Sequence, residues 1–408
     1  MERVEPTVES DPALHRPRRW TVLAAYVVVA GVSQMLWLNF APLLSLVQAR
    51  YRVSELTASL LVLVFPLLYV LFSVHAGALT DRRGYRFTVG MGAWTMALFA
   101  CVRIDDASFG ALLAGQVGIA VAQPYVVNGI SKLVTDWFGE EQGAVATGLG
   151  TMGMFLGMAA GMAATPGLVG AHGLRVTMII FAAIAVAAAL AFSWLGLPNS
   201  ARAAAATDAA PAGFAALLRD RRLLVLFTLA FLGLGVFNGL TTWLEAILAP
   251  HGMDAEKAGL VGGVLIIGGI VGAVVIPLLS DLTRRRRPFL ILCVMGALAT
   301  IYTLGTSHSY GLVLLVGGLH GFFFMPALAL LLEMCAQLAG ARSAGAATSL
   351  VMLTGNAGGV AVILAMDAVK AGKDYHPAVL LMLGLLALTL VIAALRAPET
   401  FPPRAGAR

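Results

Sequence analysis

The sequence is poor in charge. Asp, Glu, Lys and Arg make up 12% of its 408 residues, about half the share of an average soluble domain. Apolar residues make up 59%, and the mean hydropathy is +0.88. So little polar surface excludes a cytosolic enzyme, and so much apolar surface excludes a disordered chain. Cysteine is scarce too. Cys101, Cys293 and Cys335 lie in or beside apolar runs, without the paired spacing of a disulfide framework or zinc site. They read as small buried apolar residues. The sequence holds no Walker loop, no H-E-x-x-H and no G-x-S-x-G, so neither an enzyme nor a resident cofactor is expected. The polar break at 198–222 is too short for the nucleotide domain of an ATP-driven pump.

What the chain has instead is long apolar runs. A helix crosses a bilayer with ~20 apolar residues. Runs between charged or turn-rich breaks predict twelve such spans: 20–47, 55–79, 87–104, 109–135, 143–169, 174–197, 223–249, 257–280, 288–306, 310–338, 343–369 and 376–396. The runs are unbroken rather than alternating, which excludes barrel strands. The expected fold is an all-α membrane protein of two six-helix bundles. Its parts are a tail (1–19), a first bundle (20–197), a linker (198–222), a second bundle (223–396) and a tail (397–408). The first run is longer than the ~7–15-residue core of a signal peptide, so the first helix is expected to remain as an anchor. Phe214–Leu218 reads as a short amphipathic turn on the inner surface.

Charge placement gives direction. Of 27 Lys and Arg residues, seven fall in alternate breaks or at the span ends beside them: Arg50, Arg52, Arg103, Arg175, Lys257, Lys370 and Lys373. The other twenty (27 − 7) fall in the tails, in the remaining breaks or at the span ends beside those. Positive residues stay inside, so both tails and the linker are expected in the cytoplasm, in a plasma or bacterial inner membrane. The net charge of +6 then reflects membrane orientation and gives no reason to expect nucleic acid. A monomer in the lipid bilayer is expected.

The halves repeat at an offset of about 200 residues. Gly77, Leu79 and Asp81 correspond to Pro277, Leu279 and Asp281; Gln123-Pro124 to Phe324, Met325 and Pro326; Thr147 to Thr348; Lys132 to Glu333; and Trp37 to Asn238. Parallel repeats build transporter folds with a substrate site between the halves. The segment Gly77-Ala-Leu-Thr-Asp81-Arg82-Arg83-Gly84-Tyr85-Arg86 resembles the G-x-L-x-D-R-x-G-x-R signature of the major facilitator superfamily. Physically it is an inner turn. Gly77 is expected to let helix ends approach, Gly84 to turn the chain, and Asp81 to pair or cap. Arg82 and Arg86 complete this inner-gate motif, and Asp281 is its counterpart in the second half.

Three stretches are similar to a narrower branch, the feline leukaemia virus subgroup C receptor-related transporters. They are Gly115-Gln116 through Gln123-Pro124-Tyr125 to Trp137-Phe138-Gly139; Gly235-Val236-Phe237-Asn238 with Gly272 and Asp281; and Glu333 with Thr348–Asn356. The resemblance implies choline, ethanolamine or haem as cargo, with an ammonium head held by aromatics and glutamines. By that resemblance Trp37 and Gln123 match ligand-contacting positions. Asn238 stands where an aromatic is expected, and Asn356 where a glutamine is expected.

Polar residues inside spans are candidate binding groups because burying them in lipid is costly. Trp37, Asn39, Gln123, Asn128, Asn238, Trp243, His320 and Asn356 form the candidate substrate set. For each there is a structural alternative: interhelical bonding for Gln123, interface-belt placement for Trp37 and Trp243. Lys132 and Glu333 are candidate gate or coupling charges, and His320 is the candidate pH-sensitive group. No Lys or Arg lies mid-span, which disfavours carboxylate and phosphate cargo. A neutral or quaternary-ammonium solute fits better, since a cation rests on an aromatic face without a counter-charge. The expected function is a secondary active or facilitative transporter of a small organic solute working by alternating access, with a proton or other ion as possible partner. A proton-linked exporter, or a non-transporting sensor or assembly partner, remains the alternative.

Overall fold

The computed structural model describes residues 12–138, 140–196, 214–340 and 343–401. Most of the first tail, the linker from 198 to 213, and residues 402–408 lie outside the described residues. Within them the secondary structure is helical, apart from an isolated bridge between Ala371 and Asp374. Phe214–Leu217 is a short helix.

Ten of the described helices are long and apolar enough to cross a membrane. Two are far too long for one crossing. Glu55–Val102 has 48 residues, about 72 Å of helix at 1.5 Å per residue, against ~30 Å of hydrocarbon. It breaks at Gly84, whose φ of 78° and ψ of 162° suit a residue without Cβ. Glu140–Leu195 breaks in the same way at Gly173, with φ 79° and ψ 167°. Divided at these glycines, the ten helices give twelve segments. The polar breaks after spans two and five thus form no loops; the helices run on to the turning glycine.

Two other spans differ from the sequence reading. Span one is helix Pro12–Leu38, then a tight turn Ala41–Leu43, then helix Leu44–Tyr51. Pro42 sits in that turn and has no N–H to continue the helix. Span four is helix Phe109–Val127, interrupted at Asn128 and resumed at Gly129–Trp137. Spans seven to twelve are Arg221–Leu248, Ala255–Thr283, Arg287–Thr306, Tyr310–Ala339, Ala344–Val369 and His376–Arg396.

Prolines and glycines work as pairs across helix interfaces. Pro166 leaves the carbonyl of Met162 without its helical donor, and Pro326 does the same to Phe322. A Cβ added at Gly259 would lie 2.4 Å from the Met162 oxygen, and one at Gly272 would lie 1.9 Å from the Phe322 oxygen. Only glycine lets the backbones approach so closely. The first contact joins span five to span eight, across the halves.

An apolar core runs through both halves toward the end holding Trp243, Leu248 and Met253, here called the outer end. A second, separate core around Leu290, Leu330 and Met334 belongs to the inner part of the second half. Between the halves on the inner side there is open space.

Candidate substrate cavity

That space is a cavity of about 880 Å³, walled by both halves. Spans one, two, four and five contribute Gln34, Trp37, Tyr69, Gln123 and Phe155; spans seven, ten, eleven and twelve contribute Phe237, Asn238, Phe324, Asn356 and Thr389. It extends to Asp81, Lys132, Thr147 and Thr348 at the inner end, so the molecule is open on that side. Asp81 and Lys132 are the only acids or bases among the described lining residues, and both stand at the mouth. The deep part is aromatic and uncharged.

Proline explains why Trp37 stands where it does. Pro66 has no N–H for the Val62 carbonyl one turn earlier. The Trp37 indole Nε1 donates to that carbonyl at 3.2 Å. The ring stacks on Phe65 at 6.0 Å and borders the cavity. Gln123 borders it as well, with no protein hydrogen-bond partner among the described residues. Gln34 is 3% exposed, borders the cavity, and leaves its Oε1 without a partner. Across from them Asn238 leaves its Oδ1 unpartnered. Asn356 borders the cavity with Nδ2 donating to its own helix at Met352 O, 2.8 Å.

Other candidates sit differently. Asn128 touches the cavity, but its amide is spoken for: Tyr69 Oη donates to its Oδ1 at 2.9 Å, and its Nδ2 donates to Ser73 O at 3.0 Å. It ties span four to span two at the point where helix four breaks. Asn39, Trp243 and His320 are absent from the wall. Asn39 is fully buried at the end of the first helix, with neither amide atom partnered. His320 lies one layer behind the wall. Its Nδ1 meets Thr300 Oγ1 at 2.9 Å, and its ring stacks behind Phe324, which stacks on Phe237. Helical position alone places these residues mid-span; it does not say which way the helix faces.

Of the gate residues, Gly77 borders the cavity, and a Cβ added there would meet nothing within 4 Å, so in this state it touches no neighbouring helix. Asp81, Arg82 and Arg86 are exposed beside the turn at Gly84. Asp281 pairs with Arg286 at 2.6 Å. Lys132 pairs with Asp136 at 3.1 Å. Glu333 stands off the cavity, half exposed, 3.6 Å from Arg286 and accepting from Gln337 at 2.8 Å. Lys132 and Glu333 therefore belong to separate ion-pair clusters.

The outer seam carries ion pairs and hydrogen bonds that the sequence reading did not foresee. Glu55, at the start of span two, ion-pairs with Lys370 after span eleven and accepts from Tyr375 Oη at 3.1 Å. Glu245 of span seven accepts from Ser45 N at 3.1 Å, at the first turn of helix Leu44–Tyr51, where the helix end favours a carboxylate. Each half thus lends one carboxylate to donors of the other. Burial alone would lower the Lys370 pKa, but Asp367 and Glu55 outweigh it and hold the group above its ordinary value. Trp243 belongs to this seam, fully buried, with Nε1 donating to Ile363 O at 3.2 Å. Arg103, counted above with the outer loops, is also fully buried. It donates to Gln116 Oε1 at 2.7 Å, and Gln116 in turn donates to the Leu36 carbonyl at the end of the first helix.

Two helix bundles around a central, one-sided cavity define a carrier that spans the membrane many times. The Major Facilitator Superfamily profile matches residues 25–363, and the chain belongs to that family. It is a membrane transporter of small organic solutes. Among similar proteins is the choline/ethanolamine transporter FLVCR1 of Felis catus, 26% identical, over 96% of this chain and 76% of that one. Solute carrier family 49 member A3 of Danio rerio is 28% identical, over 71% of this chain and 67% of its own. An uncharacterized protein of Archaeoglobus fulgidus is 35% identical over 43% of this chain and 80% of its own. In fold, the chain matches a bacterial homologue of the human lysosomal transporter Spinster, solved inward-facing and unoccupied. The TM-score is 0.70 at 16% identity, over 94% of this chain and 96% of that one.

Proposed function

We propose that the protein moves a small neutral or amine-bearing solute by alternating access, with the solute held between residues 20–197 and 223–396. The observation that carries this reading is the deep wall of the cavity. Trp37, Phe155, Phe237 and Phe324 offer apolar and aromatic faces, and Gln34, Gln123 and Asn238 offer amides with unfilled hydrogen-bonding capacity. An amide presents both donor and acceptor, and an aromatic face accepts an ammonium. An anion has no cation there to meet it. The choline/ethanolamine relatives support an amine as cargo. The absence of an acid, base or histidine deep in the described lining favours a facilitative cycle over proton-linked export. Both tails and the linker lie in the cytoplasm in this reading, so the open mouth faces inward, and the protein works as a monomer in the plasma or inner membrane.

Flux into proteoliposomes tests it, with labelled choline, ethanolamine, a neutral polyol and a dicarboxylate, with and without a pH gradient. Saturable flux of an amine or neutral solute, unchanged by the gradient, is expected. Flux of the dicarboxylate alone, or flux only under a gradient, would overturn the reading. Topology is read from a single cysteine at Arg285 in a cysteine-free background, which an impermeant reagent added to intact cells should leave unlabelled.

A further inference from the structure

The outer seam holds one cation in a built box. The ammonium of Lys370 pairs with Glu55 and with Asp367 Oδ1, the latter at 2.6 Å, and reaches Tyr375 Oη at 3.4 Å. An ammonium on a carbon stem has three N–H donors; Glu55 and Tyr375 accept hydrogen bonds from it, and Asp367 meets its charge as an ion pair. The same nitrogen lies 5.2 Å from the centre of the Trp243 ring and 5.4 Å from that of Tyr375, within the range of cation–π attraction. Both rings are buried, and they pack on each other at 5.5 Å. A plainer account is that each charge complements its own helix end. Glu55 opens helix Glu55–Val102, capped by Ser54, and Lys370 closes helix Ala344–Val369. Helix ends explain one acid and one base. They do not explain two buried rings and a third oxygen gathered around the same nitrogen.

Four of the five groups belong to the second half, and only Glu55 comes from the first. The box is therefore complete only while the outer end is shut. We propose that Glu55, Asp367, Trp243 and Tyr375 form a binding site for a primary alkylammonium, and that Lys370 is its tethered occupant, latching the halves together at the outer end. The site is distinct from the central cavity, whose wall includes none of these residues. It selects a primary ammonium over a quaternary one, because methyl groups in place of the N–H donors would hold the nitrogen away from the Glu55 and Asp367 carboxylates and offer Glu55 no donor.

The test uses the full chain with its three native cysteines replaced and spin labels on cysteines at Ala107 and Lys373, exposed outer positions on opposite halves. The parent should give one short distance. K370A should add a longer one, and millimolar ethylammonium should return most of the short population. Tetramethylammonium, which has no N–H, should not. E55Q should open the seam without rescue by either cation, because the box loses its carboxylate from the first half. Ethylammonium should also raise the melting temperature of K370A by more than that of the parent, whose box is already filled; this readout serves even if K370A is poorly stable. A parent-like distance in K370A overturns the latch. An opened K370A that neither cation restores, or that both restore equally, overturns the ammonium site. The parent has the same central cavity but an occupied box, so an ethylammonium effect present in K370A and beyond that in the parent reports the outer seam, whether or not the central cavity carries the proposed solute.

Discussion

Replacing Trp37 by Phe and by Ala separates its two roles. The indole N–H serves the Val62 carbonyl, which Pro66 leaves without a helical donor. Phe keeps an aromatic ring over Phe65 and beside the cavity but removes the donor. A buried acceptor left unsatisfied costs ~1–3 kcal/mol, and Val62 is buried and absent from the cavity wall. Trp37→Phe should therefore lower stability by about that amount while solute affinity falls by no more than a few-fold. Trp37→Ala loses the donor and also the ring that stacks at 6.0 Å, adding ~0.5–1.5 kcal/mol of lost aromatic pairing. It also strips an aromatic face from the cavity. For an ammonium solute that face is worth ~0.5–2 kcal/mol, or about two- to thirty-fold in affinity. The assay is thermal unfolding of the purified protein beside equilibrium binding of the labelled solute found by flux. A Trp37→Phe protein that melts like the parent would show that the carbonyl does not need the indole. A Trp37→Ala protein that is less stable but binds normally would make Trp37 a packing residue and remove it from the site.

Gln123→Ala and Gln34→Ala should each weaken solute binding by the net worth of one hydrogen bond, ~0.5–1.5 kcal/mol, with little change in melting; binding titrations on both variants check this. Asn128→Ala should do the reverse, because its amide joins Tyr69 to Ser73, and its melting temperature should fall more than its affinity. Gly272→Val should destabilise strongly, since even a Cβ there meets the Phe322 oxygen at 1.9 Å, whereas Gly77→Ala, with open space around it, should gain up to ~1 kcal/mol of helix propensity; paired melting curves decide. Lys370 has its pKa raised in the closed seam, so its contribution is complete across the neutral range, below the ordinary lysine value, and fades on the alkaline side only as pH climbs through the raised one. The outer spin-label distance should stay constant across the neutral range and lengthen only in strong alkali.

The sequence alone determined the membrane class, the approximate positions of the helices and the family. These follow from quantities that add up locally: twenty apolar residues in a row, and a turn motif whose residues are consecutive from Gly77 to Arg86. That Trp37 and Gln123 face away from lipid was also legible, since a polar or amphipathic group deep in a span must face something else. Only the tertiary structure decided which of the mid-span residues face the cavity. His320 and Phe324 are one helical turn apart, yet Phe324 forms the wall and His320 stands behind it. A few tens of degrees of helix rotation settle that, and the rotation is set by partners such as Thr300 that lie far away in the chain. The same holds for the outer seam. Glu55 and Lys370 are 315 residues apart, and each looks like an ordinary helix-end charge until the two halves fold together and place one against the other.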